Sequence, residues 1–537
     1  MKLSMLSRFF IATMMLAIFA DCGGSSNGNS ATPIDTSITQ ETSYNNMFLD
    51  SAAIAAFVNK DTSYKPFRRQ FMDFYRHRNF EFAWFDTSGL VEQAGNFVNS
   101  LNNSELNVDD TLTEYDNLKR ITERFKQGIA GVPHTEIVNA ELTLTGVFFK
   151  HAQNVYGGNS LDAEALGWFI PRKKVDFSAM LDSTLAGRGK SETDLLNPQF
   201  KQLRDFLQQY IDLKKNNDWN DIALSKPMLH LHDKGRDVAN IQHRLYLLGD
   251  LADDENSGKF DREMLSAVKS FQRRNGLSPD GVIGAGFMNA LNAPLDSTIK
   301  TITVNMERMR WIPAELPHNY VWVNIPDYKL QAFQNDTEVF NMPVIVGSAA
   351  NATTIFSGNI KYIVFAPYWN VPESIVKKEI MPGIKNNPSY IADHNMQITG
   401  YAKGIPQVRQ LPGPDNSLGR VKFLFPNNFN IYLHDTPNHD LFGSSNRGLS
   451  HGCIRLANPT LMANWLLRND SLQYSREKID SLMNRNTKET WVTLKSENTM
   501  PVYLVYFTAW VDKKGKLNIR KDIYGHDAKI ADKLFVQ

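Results

Sequence analysis

Two neighbouring stretches decide the fold of the C-terminal part of this chain: FNIYLHDTP (residues 429–437) and LSHGCIRLAN (residues 449–458). Both have apolar residues at alternating positions, which is typical of short strands. Side chains alternate between the two faces of a strand, so Tyr432 and His434 share the polar face of the first stretch. Cys453 lies on the corresponding face of the second stretch. The pattern therefore predicts two strands that bring an imidazole towards a thiol.

Cys453 has the most distinctive chemistry of these residues. The thiolate is the nucleophilic form, and an unperturbed thiol has a pKa of about 8.5, so a nearby imidazole must take its proton or stabilise the thiolate as imidazolium. Gly452 has no side chain, which lets backbone N–H groups approach a reacting carbonyl and bind the oxyanion. We predict Cys453 as the nucleophile, His434 as the general base and Gly452 as part of the oxyanion site.

Two other interpretations of the same residues stay open. His434, His439, His451 and Cys453 belong to the residue types that bind zinc, although no Cys-x-x-Cys or His-x-x-x-His pair accompanies them. We therefore expect no metal site and no cofactor. The second alternative is that Cys453 is an inert cysteine buried in the core.

In the rest of the chain, the spacing of apolar residues changes from that of helices to that of strands. Residues 46–220 have apolar residues at spacings of three and four, as in FKQLRDFLQQYIDL, which predicts an all-α region. From about residue 300 the period becomes that of strands, as in YVWVNIPDYKLQAFQ, which predicts a β-rich domain over residues 300–537. The expected fold class is multidomain α+β.

A compact unit at residues 227–293 lies between these regions. Two helix stripes are predicted there, Val238, Ile241, Leu245 and Leu248 in the first, and Leu265, Val268 and Phe271 in the second. Gly249 is predicted to end a helix, while Asp280-Gly281 and Gly284 are predicted to form tight turns that need a permissive backbone. The pattern predicts a small helical bundle.

The N-terminus has the pattern of an export signal over residues 1–22. A positively charged start precedes the run FFIATMMLAIFA, which is too short to span a hydrocarbon layer of about 30 Å. Cys22 and a polar, small-residue tether at 23–45 follow. Cys22 resembles the lipidated first residue of a bacterial lipoprotein, although Asp21 occupies a position where Gly, Ala or Ser is usual. Cleavage elsewhere, with loss of Cys22, is the alternative.

The bulk composition limits the function classes. A chain of 537 residues is expected to form about three domains. The formal net charge is +1, which gives no reason to expect nucleic acid as a partner. Once Cys22 is lipidated or removed, Cys453 is the only remaining thiol, so no intramolecular disulfide can form.

At this point the residues resemble a known family. The pattern H-x15-S-H-G-C, which runs from His434 through Ser450, His451 and Gly452 to Cys453, resembles the signature of the L,D-transpeptidases of bacterial cell walls. The strings YWNVPESIVKKEIMPGIKNNPSYI and YFTAWVDKKGKLNIRKDIYG are similar to the large periplasmic subgroup of that family.

The resemblance implies a domain order as well as an activity. The small unit at 227–293 resembles a three-helix peptidoglycan-binding module, and a structural spacer is the alternative. Residues 46–220 would then be a helical scaffold domain and residues 300–537 the catalytic domain. The location implied is the periplasm of a Gram-negative bacterium, with a membrane anchor at Cys22.

The resemblance also implies the reaction. Cys453 would attack the carbonyl between diaminopimelate and the terminal D-Ala of a tetrapeptide stem, releasing D-Ala and leaving a thioester. His434 would be the base, and the amides of Gly452 and Cys453 would bind the oxyanion. A second stem would supply the amine that forms a 3→3 cross-link. The implied partners are peptidoglycan stems as donor and acceptor, together with other cell-wall enzymes.

Five further residues are assigned to the substrate pocket on the same grounds: Tyr432, Ser450, His451, Arg455 and Trp369. Each has an open alternative or a supporting role. Tyr432 is a wall residue or a hydrogen-bond donor, and Arg455 can instead anchor a loop by pairing with a carboxylate. Trp369 and Trp322 are expected to serve packing. Ser450 and His451 are expected to hold the catalytic pair in register.

Residues 369–420 are expected to include an insertion that caps the active site. The segment is rich in Pro, Gly and Asn, which predicts a mobile lid rather than a packed element.

The acyl acceptor stays open at the level of sequence. L,D-carboxypeptidase hydrolysis, exchange of D-amino acids and attachment of a protein amine all use the same thioester. A catalytically silent peptidoglycan-binding lipoprotein is the alternative from a different class. The intact Cys453 and His434 argue against it.

Overall fold

The computed structural model describes residues 47–102, 109–157, 161–171, 175–188, 197–254, 256–313, 315–485 and 487–535. The predicted signal peptide, Cys22 and the tether lie outside these ranges, and the lipid anchor therefore stays a prediction. Within them, none of the helices combines the length and the apolar character needed to cross a bilayer.

The elements divide into a helical N-terminal half and a strand-rich C-terminal half, so the α+β expectation is confirmed. The α-helices are α1 Ser51–Lys60, α2 Arg68–His77, α3 Glu92–Asn102, α4 Asp109–Phe125, α5 His134–Ala152, α6 Phe177–Leu185, α7 Pro198–Asn216, α8 Arg236–Leu247, α9 Arg262–Arg274, α10 Ala285–Leu291, α11 Leu295–Arg310, α12 Glu373–Ile375, α13 Met381–Asn386, α14 Tyr390–Asp393, α15 Pro459–Leu466, α16 Arg476–Asn484 and α17 His526–Leu534. The strands are β1 Phe85–Asp86, β2 Gly89–Leu90, β3 Trp168–Phe169, β4 Tyr320–Asn324, β5 Lys329–Gln334, β6 Thr337–Gly347, β7 Ile355–Ile360, β8 Tyr362–Phe365, β9 Trp369–Asn370, β10 Met396–Ala402, β11 Ile405–Gln410, β12 Val421–Leu424, β13 Leu433–His434, β14 Gly448–Ser450, β15 Ile454–Leu456, β16 Thr490–Thr493, β17 Met500–Val505, β18 Ala509–Val511 and β19 Leu517–Ile519.

The chain separates into two compact units, Met1–Val147 and Phe148–Gln537. In the first unit a carboxylate on α5 joins the helices. Glu141 is fully buried and accepts hydrogen bonds from the backbone amides of Ala83 and Trp84, at 2.7 and 2.9 Å. The Tyr75 hydroxyl on α2 donates to the same carboxylate at 2.8 Å. Burial raises the pKa of Glu141 to about 7, although these hydrogen bonds oppose the shift.

The second unit contains the small bundle, in which α8, α9 and α10 form one core. Val238, Ile241, Leu245, Val268 and Phe271 are buried there, as predicted, while Leu248 and Leu265 lie at its edge. Met264 therefore takes the core position one residue before Leu265.

Two of the turn glycines in this bundle behave differently. Gly281 has φ +81°, and a Cβ there would lie 2.4 Å from Leu265 Cδ1, so glycine is required. Gly284 has φ −119°, an extended conformation open to any residue, so the expectation of a strained turn there is wrong.

A twelve-stranded sheet dominates the rest of the second unit. Its strand order is β16-β8-β12-β13-β15-β6-β5-β4-β17-β7-β3, and β14 pairs with β6 outside this path. Its central strands are almost fully buried on their apolar face, including Leu433, Ile454 and Leu456. These three residues fix the sides of β13 and β15 that face the core.

Residues 369–420, called the capping segment below, form a packed substructure. Strands β10, β11 and β9 make a separate three-stranded sheet, with α12, a π-helical turn at Val376–Ile380, α13 and α14 beside it. Val371, Ile375, Val376, Ile380 and Val408 form its buried core. The expectation of a mobile lid without packed elements is therefore wrong. Apolar residues that are far apart in sequence pack together in this core, although Pro, Gly and Asn residues separate them along the chain.

Candidate active site

The strands β13 and β15 place the predicted residues on one face. They pair in parallel, with Leu433 opposite Ile454 and His434 opposite Arg455. The same register places Tyr432 opposite Cys453, and the Ile454 amide donates to the Tyr432 carbonyl at 3.1 Å. Opposed residues in a sheet point to the same side. Tyr432, His434, Cys453 and Arg455 therefore line one face, as the alternation predicts.

The Cys453 residue is partly exposed, so it does not fill a fully buried core position. Interactions with the backbone and the hydroxyl of Tyr432 lower the pKa of the thiol, and the thiol donates a hydrogen bond to the Asn430 carbonyl at 3.6 Å. Desolvation raises the pKa of Cys453, while the Tyr432 donors and the nearby Arg455 charge lower it. The thiol is therefore protonated at rest. Tyr432 lies beside the thiol, and its role as a wall residue or as a hydrogen-bond donor to substrate stays a prediction.

His434 is buried, with 4% of its surface exposed. Its Nδ1 donates a hydrogen bond to the Asp435 carbonyl oxygen at 2.5 Å, so that nitrogen carries the proton of the neutral ring. The backbone of Leu418 also interacts with the imidazole. Desolvation and then the Arg455 charge lower the pKa of His434 to about 3. The imidazole is therefore neutral at physiological pH.

His434 and Cys453 are not directly opposite each other in the register of the two strands. His434 lies two residues along β13 from the position opposite Cys453, which is about 6–7 Å along the strand. The Tyr432 ring lies beside the imidazole, with its centroid 5.7 Å from that of His434. Sequence analysis also missed the Asp435 carbonyl that fixes the imidazole tautomer. A backbone acceptor gives no residue-type signal.

Arg455 is half-buried beside the thiol. Among the described residues no carboxylate lies within ion-pair distance of its guanidinium, and its Nε has no hydrogen-bond partner. The alternative in which Arg455 anchors a loop by pairing with a carboxylate is therefore not observed. Its positive charge instead acts on the Cys453 thiol and the His434 ring.

The loop that precedes the thiol is held by its own serine. Gly452 has φ +116°, a region that favours glycine. Its amide donates to Ser450 Oγ at 3.0 Å, and Ser450 Oγ donates to the Cys453 carbonyl at 2.5 Å. The Gly452 amide is thus already engaged, whereas the Cys453 amide makes no hydrogen bond within the described part of the chain. Of the two amides predicted to bind an oxyanion, the Cys453 amide is therefore the one without a hydrogen-bond partner among the described residues, and the oxyanion role stays a prediction.

His439 and His451, the other two histidines considered as zinc ligands, each lie near a carboxylate. His451 Nε2 lies 3.5 Å from Glu379 Oε1 in the π-helical turn of the capping segment, and His439 Nε2 lies 3.4 Å from Asp435 Oδ1. No cluster of three or more potential metal-binding side chains occurs in the ranges that the structure describes. His451 therefore connects the nucleophile loop to the capping segment.

Trp369 and Trp322 both make packing contacts, and the place of Trp369 in the substrate pocket stays a prediction. Trp369 begins the capping segment in β9 and packs against its core, and Trp322 stacks on Phe507 with a centroid distance of 5.9 Å.

Comparison with known proteins gives the class of this domain. Residues 318–492 match the family described as "L,D-transpeptidase catalytic domain". Residues 69–216 match the "Scaffold domain" family, and residues 234–291 match the "Putative peptidoglycan binding domain" family. The chain therefore carries an L,D-transpeptidase catalytic domain. It combines this domain with a peptidoglycan-binding domain and a scaffold domain, and the family resemblance is confirmed.

Individual relatives share only part of the chain. A "Putative L,D-transpeptidase" of Haemophilus influenzae is 34% identical over 245 residues, which is 43% of this chain and 48% of the relative. The match thus spans about half the length of that relative. An L,D-transpeptidase structure from Xylanimonas cellulosilytica is 15% identical, with 53% of this chain and 100% of that chain covered and a TM-score of 0.17. One from Stackebrandtia nassauensis is 16% identical, covers 53% and 97%, and has a TM-score of 0.20.

Proposed function

We propose that this protein forms 3→3 peptidoglycan cross-links through a thioester on Cys453. The observation that carries the proposal is the shared strand face, on which a partly exposed thiol, its Tyr432 donor and a neutral His434 stand together. This face lies within the L,D-transpeptidase domain. The donor is a tetrapeptide stem, and D-Ala is the leaving group.

The charge states favour a concerted first step. The thiol is protonated and the imidazole is neutral, so the proton leaves sulfur as the sulfur attacks the carbonyl carbon. His434 Nε2 accepts it, directly or through the Tyr432 hydroxyl, because Nδ1 already holds a proton. The proton then passes to the departing D-Ala amine as the C–N bond breaks. The product is a thioester on Cys453 and free D-Ala.

The second step is attack on the thioester by the diaminopimelate side-chain amine of another stem. Water competes with this amine, so the site must order the amine and limit water. The capping segment has the packed core needed for such a cover, and Glu379 brings it to His451. The peptidoglycan substrate is consistent with action in the periplasm, with Cys22 as the membrane anchor.

The test is incubation of the purified protein with disaccharide-tetrapeptide, followed by mass spectrometry of the products. We expect a cross-linked dimer and free D-Ala with the wild type. The matched control is Cys453→Ala, which removes only the thiol sulfur and should give neither product.

Other product patterns would change the assignment. Tripeptide without dimer would indicate L,D-carboxypeptidase activity, and incorporation of added D-amino acid would indicate exchange. Untouched tetrapeptide with both proteins would contradict an enzymatic role under this proposal.

A further inference from the structure

A threonine outside the signature holds the peptide bond that precedes the nucleophile. Thr353 lies between β6 and β7 and is 1% exposed. Its Oγ1 donates to the Gly452 carbonyl at 2.8 Å and accepts from the Gly347 amide at 2.9 Å. Both the donor and one acceptor site of the hydroxyl are therefore used, so its orientation is fixed.

This contact sets the direction of the Cys453 amide. The Gly452 carbonyl and the Cys453 N–H belong to one planar, trans peptide unit, in which the C=O and N–H point in opposite directions. Holding the oxygen on Thr353 therefore turns the N–H away from Thr353. On the other side of Gly452, Ser450 Oγ holds the preceding peptide through the Gly452 amide. The two contacts leave the Cys453 N–H little freedom to turn.

A tyrosine near the C-terminus supports the threonine. The Tyr524 hydroxyl donates to the Gly347 carbonyl at 2.6 Å and accepts from the Thr353 amide at 3.3 Å. The Tyr524 amide in turn donates to the Tyr506 hydroxyl oxygen at 2.8 Å. The backbone around Thr353 is packed closely, since a Cβ on Gly347 would lie 2.0 Å from the Asn351 carbonyl oxygen.

We propose that Thr353, supported by Tyr524, is a positioning residue that aims the Cys453 amide at the developing oxyanion. The inference rests on the proposed thioester chemistry and adds a residue to it. An amide in the correct direction stabilises the tetrahedral intermediate, whereas the affinity for the ground-state substrate depends on other contacts. Thr353 should thus control the rate of acylation rather than substrate binding or thiol reactivity.

The experiment compares two reactions of the same thiol in the full chain. Acylation by a p-nitrophenyl ester passes through an oxyanion, whereas alkylation by iodoacetamide is a displacement that forms none. Thr353→Val keeps the shape and removes the hydroxyl. Removal of an oxyanion donor typically costs about 10²–10³ in rate, so misdirecting one should slow acylation about 10–100-fold. Alkylation should change less than about threefold.

Matched variants separate positioning from general damage. Thr353→Ser should restore most of the acylation rate, because it keeps the hydroxyl. Thr354→Val, at the adjacent and less buried threonine, should leave both rates unchanged. Tyr524→Phe should give an intermediate loss of acylation. With tetrapeptide, the Thr353→Val loss should appear in kcat, with KM within about threefold of the wild type.

The ratio of acylation to alkylation decides the outcome. Equal loss of both rates, or no loss of either, overturns the inference. If Thr353→Val does not fold, Tyr524→Phe provides the same ratio, and an unchanged ratio there also overturns it. The ester assay works whether or not tetrapeptide is a substrate. Failure with tetrapeptide alone would therefore contradict the proposed function and leave the Thr353 result intact.

Discussion

At the residue scale, Tyr432 lowers the pKa of the Cys453 thiol more than any other described residue does. The backbone amide and the hydroxyl of Tyr432 both lower the pKa of the thiol, whereas His434 lies farther along the strand. Burial raises the thiol pKa, and these donors reduce that rise. Tyr432, which the H-x15-S-H-G-C signature does not include, therefore stabilises the thiolate.

Removal of the Tyr432 hydroxyl should make the thiolate harder to form. A hydrogen bond to a charged group contributes about 1.5–3 kcal/mol, and one pKa unit corresponds to about 1.4 kcal/mol. Tyr432→Phe should therefore raise the thiol pKa further above its usual value. The pH dependence of iodoacetamide alkylation measures this shift. Tyr503→Phe, a half-exposed tyrosine on β17, is the control and should leave the profile unchanged. An unshifted profile for Tyr432→Phe would contradict the role of the hydroxyl.

The family resemblance gives a second prediction for the same thiol. A carbapenem should acylate Cys453, and classical penicillins should react much more slowly. Intact-mass spectra should show one adduct on the wild type and none on Cys453→Ala. An equal adduct on both proteins would mean that another residue reacts.

At the element scale, the capping segment should control access of water to the thioester. Val376 is 1% exposed in its core, and loss of two buried methyl groups costs about 2 kcal/mol. Val376→Ala should loosen the segment and raise the ratio of tripeptide to cross-linked dimer, with faster deuterium exchange in β10 and β11. Val339→Ala, at a position 47% exposed, is the matched control. A product ratio that stays constant in Val376→Ala would rule out this role.

The helix α5 carries a pH-dependent contribution to stability. The pKa of Glu141 is about 7 in the fold, against about 4.5 in the unfolded chain. The folded state therefore binds more protons between these values. This contribution is fully present below pH 4.5 and is lost as the pH rises through 7, at no more than about 1.4 kcal/mol per unit.

Replacement by a neutral side chain tests this contribution. The difference in unfolding free energy between wild type and Glu141→Gln should decrease from pH 5 to pH 8. Thermal or denaturant unfolding at several pH values measures it, because other titrating groups cancel in the difference. Parallel curves for the two proteins would show that Glu141 does not titrate in this range.

The elements also show what the sequence could and could not predict. The two-residue period placed Tyr432, His434, Cys453 and Arg455 on one face, because alternation is a property of each strand alone. The contact between Tyr432 and Cys453 depends on the register between two strands, which neither strand encodes by itself. The core of the capping segment was missed for a related reason, since Val376 and Val408 are brought together only by the fold.

At the scale of the whole molecule, wall binding and catalysis should be separable. The hydrophobic core of the small bundle draws all its members from residues between Ile222 and Leu291. The Trp219 indole is attached to the bundle outside this core, since it stacks on the Arg244 guanidinium at 3.7 Å and donates to the Ala293 carbonyl at 3.0 Å. Residues 218–293 thus contain a complete core and should fold without the rest of the chain.

This separation gives a test of the two roles proposed for the bundle. If it is a peptidoglycan-binding module, residues 218–293 should sediment with purified sacculi, and the full-length Cys453→Ala protein should sediment as strongly as the wild type. A spacer would leave residues 218–293 in the supernatant, with circular dichroism confirming that they are folded. If the Cys453→Ala protein also lost its binding, the catalytic site would be the main attachment to the wall. If residues 218–293 and the Cys453→Ala protein both sediment with the sacculi, the bundle keeps the enzyme bound to peptidoglycan between successive reactions.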